Sequence, residues 1–223
     1  MSSKSLDISI LLSSSIHEIK NQINSMIFRL ELLQTQHPDS NNEIVFLKQD
    51  ATHIGNELMR LLALYKLNQK ELRPQQIQHG VEDFLEEKSV QHNAACKAKK
   101  IAIEYQCDET LAAFFDENLI SCIVDTAVHN SLGFAQQHIV LSARKENDFM
   151  VLSVEDDGEG YPKDLLAQQD FSNPLESEGS NTGLGLYFAS EIAACHENKG
   201  ISGYIKLGSS DRFGGANFSV YLP

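Results

Sequence analysis

From residue 8 to residue 69 the apolar positions recur at the spacing of a helix rather than of a strand. Leu12, Ile16, Ile19, Ile23, Met26, Leu30 and Leu33 advance by alternating steps of four and three residues, and Ile44, Leu47, Ala51, Ile54, Leu58, Leu61 and Tyr65 keep the same rhythm. That alternation is the a/d seam of a heptad repeat. Gly55 and Pro38 are the only glycine and proline in this stretch. Pro38 falls in His37-Pro38-Asp39-Ser40-Asn41-Asn42, a run of turn formers. The pattern predicts two long helices joined by a short connection. A lone hairpin would leave much of both stripes in water, so the pattern also predicts a homodimer in which two hairpins form a four-helix bundle.

From Arg73-Pro74 onward the period changes. Helical stretches near 78 to 97 and 117 to 132 alternate with strand-like runs at Ile101 to Tyr105, His138 to Ala143, Met150 to Glu155, Gly203 to Gly208 and Ala216 to Leu222. The chain therefore divides into a helical hairpin over 1–72 and an α+β domain over 73–223, the latter a sheet with helices on one face.

A length of 223 residues holds two modest domains, and a 42% hydrophobic, 22% charged composition is that of an ordinary globular chain. No apolar run approaches the roughly 20 residues that cross a bilayer, and the N-terminus lacks a secretory pattern. The expectation is a cytoplasmic protein with no membrane span. A formal charge of -13 disfavours nucleic acid and anionic membranes, leaving proteins and small ligands as partners. Cys96, Cys107, Cys122 and Cys195 have neither metal-ligand nor disulfide spacing and are expected as thiols.

Several segments carry candidate chemistry. His17 lies beside seam residue Ile16 and is followed by Glu18. A neutral imidazole nitrogen can attack phosphorus, and a neighbouring carboxylate can hold the other ring proton. Alone, this pair is ordinary helix surface. Asp156-Asp157-Gly158-Glu159-Gly160 ends a strand-like run, where a carboxylate can accept from an exocyclic amine and glycines let backbone pass close to a ligand. Asn181-Thr182-Gly183-Leu184-Gly185-Leu186 opens a helix running to about Ala194, a place where free amides and the helix dipole suit phosphate. Asn130 lies on a predicted helix, where its amide oxygen can meet magnesium, and Phe134, four residues on, can lie near a flat base. Gly214-Gly215-Ala216-Asn217-Phe218 precedes the last strand.

Taken in order, a HEIKN box in paired helices, an asparagine helix, a DxGxG string, a GLGL loop and a closing glycine-rich strand resemble the core of two-component sensor histidine kinases. The resemblance implies that His17 is the phosphoacceptor, that Glu18 assists it, and that Asn21 helps place the water that removes phosphate from a response regulator. It implies ATP and Mg2+ as cofactors, with Asn130 on the metal and Asp156 on the adenine amine. Phe134, Gly158, Gly160, Thr182, Gly183, Leu184 and Gly185 would line the pocket. The implied fold of the second domain is the α/β sandwich shared with gyrase- and chaperone-type ATPases. The implied partners are a response regulator receiver domain, a second copy of the chain, and a separate upstream sensor protein.

Some positions depart from that pattern. Thr126 replaces an asparagine one turn before Asn130, Gly133 replaces a lysine, Gln22 replaces a proline, and the loop over residues 162–179 is acidic with Lys163 as its only cation. These leave a second reading open, in which the ATPase-like domain has drifted from nucleotide binding and the chain acts as a histidine phosphotransfer protein.

Overall fold

The computed structural model describes residues 8–36, 41–168, 170–171 and 184–223. The chain forms two compact units that meet in sequence at Leu72 and Arg73.

The first unit is built from α1 (Ile8–Gln36) and α2 (Asn41–Asn68). Lys48 Nζ bonds Glu31 Oε1 at 2.9 Å near the turn, while Gly55 lies against Ile23 farther along, so the helices run antiparallel. The heptad seam splits in two. Ile16 and Ile23 on α1 and Ile44 and Ala51 on α2 are buried. Ile19, Met26 and Leu33, and Leu47, Ile54 and Leu61, each spaced by seven, are exposed. One half of each seam closes the hairpin, and the other half forms an uncovered apolar stripe.

The second unit opens with β1 (Ile77–Gly80) and α3 (Val81–Ala98), followed by β2 (Ala102–Gln106), β3 (Ala112–Phe115) and α4 (Glu117–Phe134). Next come β4 (His138–Glu146), β5 (Phe149–Asp156), α5 (Lys163–Ala167) and α6 (Leu184–Cys195). The two-residue strands β6 (Glu197–Asn198) and β7 (Ile201–Ser202) lead into β8 (Tyr204–Ser209) and β9 (Ala216–Leu222). The first helix starts later than its sequence pattern suggests because residues 77–80 pair antiparallel with β3. The main sheet has the order β2-β4-β5-β9-β8. Only the β2–β4 pair is parallel, and α4 lies in the connection that such a pair requires.

Strand alternation gives the sheet two unlike faces. Ile139 and Leu141 on β4, Leu152 and Val154 on β5, Phe218 and Val220 on β9, and Ile205 and Leu207 on β8 share one face and are buried. The helices lie on this side, contributing Phe84 and Leu85, Ile120 and Ile123, and Phe188 and Ile192 to the core. The other face carries Gln106, Ser142, Arg144, Ser153, Glu155, Lys206 and Ser219. This is the two-layer α/β architecture expected for the second domain. Cys96 and Cys122 are buried, and all four cysteines are free thiols.

Candidate functional site

Asp156 is the last residue of β5 and points into the helix side of the sheet, with only 2% of its surface exposed. A carboxylate taken this far out of water needs donors. Among the described residues it has three, each from a different segment. Gly158 N and Ala216 N donate to Oδ1 at 2.9 and 3.3 Å, and Ser131 Oγ donates to Oδ2 at 2.8 Å. The end of β5, the start of β9 and the last turn of α4 are thus tied to one side chain.

Two glycines make this convergence possible. A Cβ on Gly158 would stand 2.6 Å from Phe134 O and 3.0 Å from Asp156 Oδ1. A Cβ on Gly215 would collide with the backbone oxygen of Asp156 and come within 2.7 Å of Gly158 N. Gly160 has φ +78°, a conformation that favours glycine.

Asp157 faces elsewhere. Its Oδ1 accepts from Gln136 N at 2.8 Å and Gln137 N at 3.0 Å, which pins the turn between α4 and β4. Burial opposes its charge, but donation from the backbone N–H groups around Gln137 and Gln136 outweighs it and holds the carboxyl below its ordinary range. Burial, with Asp156 adding to it, pushes the Tyr161 phenol well above its usual value. Tyr161 stays a neutral hydroxyl.

Phe134 closes α4 with 64% of its surface exposed, beside Gly158. Asn130, one turn earlier, is also exposed. A substituent on Gly133 would meet nothing within 4 Å, so this position too faces open space. Thr126 Oγ1 donates to Cys122 O at 2.7 Å within its own helix. Leu184 and Gly185 form the first turn of α6, whereas Thr182 and Gly183 lie outside the described residues. In the first unit, His17, Glu18 and Asn21 are all in α1. Glu18 and Asn21 are exposed, and the His17 side chain is outside the described residues.

Two buried polar clusters fix α4. Asp125 bonds Lys88 Nζ at 3.1 Å and His92 Nε2 at 3.0 Å, both from α3. Burial would raise the Asp125 carboxyl, but the His92 bond and the Lys88 charge prevail and hold it below its ordinary value. At the N-terminus of α4, Asp116 caps the helix by accepting from Leu119 N at 3.1 Å. Asp116 Oδ2 also accepts from Gln75 N at 2.8 Å.

Sequence reasoning found Asp156, Gly158 and Phe134, which the structure brings together. It missed Ser131, Ala216 N and the Asp125 cluster. Ala216 lies in a segment that the sequence does single out. Ser131 and Asp125 read only as polar residues within an apolar helix.

Residues 115–223 match the family described as histidine kinase-, DNA gyrase B-, and HSP90-like ATPase. Over nearly its whole length the chain is similar to sporulation kinase C of Bacillus subtilis strain 168. The two are 27% identical over 230 residues, covering 99% of this chain and 50% of that protein. Among solved structures, full-length ShkA in complex with AMPPNP matches with a TM-score of 0.64 at 19% identity, over 96% of this chain and 45% of that one. The histidine kinase AdeS of Acinetobacter baumannii matches with a TM-score of 0.58 at 14% identity, over 90% of this chain and 96% of that one. At these identities the structures speak for the fold alone. The fold, the family match and the similar kinase together support a sensor histidine kinase ATPase core. The chain spans about half the length of the kinase it matches.

Proposed function

We propose that the second unit binds ATP with magnesium and that its γ-phosphoryl group is transferred to His17, then to an aspartate of a response regulator receiver domain. The observation that carries this reading is Asp156, a buried acceptor held by Ser131, Gly158 and Ala216, with the backbone of the exposed residue Phe134 next to Gly158. A carboxylate so placed accepts from an exocyclic amine while an aromatic ring borders the base. Asn130 supplies an amide oxygen toward magnesium, with phosphate and water as the remaining ligands. Among the described residues no cluster of His, Cys, Asp or Glu could hold a metal by itself, so the nucleotide's own phosphates are the natural second anchor.

In the transfer, an imidazole nitrogen of His17 attacks the γ-phosphorus as the bond to the β–γ bridging oxygen breaks. ADP leaves with that electron pair, and Glu18 holds the other ring proton. An aspartate oxygen of the receiver then takes the phosphoryl group, and the imidazole is regenerated. Asn21, one turn beyond His17, would orient water for the reverse duty of dephosphorylating the receiver.

The exposed stripe of Ile19, Met26, Leu33, Leu47, Ile54 and Leu61 supports a homodimeric four-helix bundle, because a second hairpin offers the same stripe in return. Input from a separate sensor protein completes the reading. Among the described residues no helix is long and apolar enough to cross a membrane.

Titration calorimetry with ATP and magnesium tests the nucleotide step. Wild-type protein should bind in the micromolar to millimolar range and Asp156→Asn at least tenfold more weakly. No binding by the wild type would leave the phosphotransfer reading, without ATP, in its place.

A further inference from the structure

Two hydroxyls on α4 have different fates. Thr126 returns its proton to the carbonyl of Cys122, the usual local bond of a helical threonine. Ser131 reaches across to β5 and donates to Asp156 Oδ2, a buried bond between residues far apart in sequence. The two oxygens of Asp156 are consequently filled unequally. Among the described residues, Oδ1 takes two backbone donors, Gly158 N and Ala216 N, while Oδ2 takes only the Ser131 hydroxyl. A carboxylate oxygen offers about two acceptor positions. Oδ2 therefore keeps one, and the Ser131 bond fixes where it points.

We infer that Ser131 determines base specificity by aiming the free acceptor position of Asp156 Oδ2 at an exocyclic amine of a bound purine nucleotide. This rests on the proposed nucleotide site. An amine at that edge donates to Oδ2. A carbonyl oxygen in the same place sets acceptor against acceptor in a site that water does not freely enter, and such a mismatch is discriminated strongly. With Ser131 removed, the carboxylate keeps its two backbone donors on Oδ1, and nothing on Ser131 fixes the direction of Oδ2. The site then still binds phosphates but reads the base less sharply.

The test compares ATP with inosine triphosphate, which carries oxygen in place of the amine, on wild type, Ser131→Ala and Ser131→Thr, with magnesium present. Wild type should prefer ATP by at least about tenfold. Ser131→Ala should lose roughly ten- to a hundredfold in ATP affinity, the size of one hydrogen bond to a charged acceptor. Its affinity for inosine triphosphate should hold, so the preference shrinks toward unity. Ser131→Thr, which keeps the hydroxyl, should retain much of the preference. Equal losses for both nucleotides would reduce Ser131 to a structural role and overturn the inference, as would an unchanged ATP affinity. Either result leaves the nucleotide site standing, whereas a wild type that binds neither nucleotide overturns both.

Discussion

His196 Nε2 accepts the backbone N–H of Asp116 at 3.0 Å, joining the end of α6 to the first turn of α4 across 80 positions of sequence. The other ring nitrogen, Nδ1, lies 2.8 Å from Ile192 O and must carry the proton. A second proton on Nε2 would set two donors face to face in a site with no exposed surface. Burial accordingly lowers the His196 pKa, opposed in part by the Ile192 carbonyl and the Asp116 charge.

The sign of the pH effect follows. The folded state prefers neutral His196, so its contribution is fully present above the unfolded pKa of about 6.5 and fades as pH falls from there toward the lower folded value. The unfolding free energy from urea titration should drop between pH 7 and pH 5. His196→Ala should cost about 2–4 kcal/mol at pH 7, through the cavity and the orphaned Asp116 N–H, and less at pH 5. An equal cost at both pH values would refute this account.

Asp125 sits between Lys88 and His92 with all three largely buried. Removing only the carboxylate strands a buried ammonium, so Asp125→Asn should destabilise by about 3–5 kcal/mol. Replacing both charges, Lys88→Met with Asp125→Leu, should recover most of that loss. Denaturation of the single and double variants checks this, and a double variant as unstable as Asp125→Asn would contradict it. The low Asp125 pKa places its own acid loss below about pH 4, clear of the His196 window.

Gly133 faces open space within α4. Gly133→Ala should raise stability by about 0.5–1 kcal/mol, the helix cost of glycine. Gly133→Lys should tighten ATP binding several-fold, since it restores a cation near the proposed phosphate path. A thermal shift for the first variant and calorimetry for the second are the readouts. Unchanged ATP affinity in Gly133→Lys would remove this position from the site.

The uncovered heptad stripe makes a prediction about assembly. Ile54→Lys spares Ile16, Ile23, Ile44 and Ala51, the buried seam residues of the hairpin, yet buries a charge in a four-helix bundle. Sedimentation velocity should show a wild-type dimer and a variant monomer at micromolar concentration. The same mass for both would count against the stripe as the interface.

Periodicity made both long helices legible, because a seven-residue repeat persists over many turns. It could not say which half of the seam closes the hairpin, since Ile16 and Ile19 are equivalent until the partner helix is placed. The strands β1 and β3 were missed because four-residue runs carry too little alternation. The site was legible where glycine and carboxylate chemistry is local, as at Asp156 and Gly158. It was hidden where a bond joins distant segments, because nothing beside Ser131 or His196 in the sequence announces a partner on another element.

ATP labelled on its γ-phosphate reveals whether the proposed phosphoryl group is carried on His17. With magnesium, the wild-type protein should take up label that is lost in acid and kept in alkali, as a phosphorus–nitrogen bond behaves, and His17→Gln should take up none. Label that survives acid, or that appears equally on His17→Gln, would contradict the account.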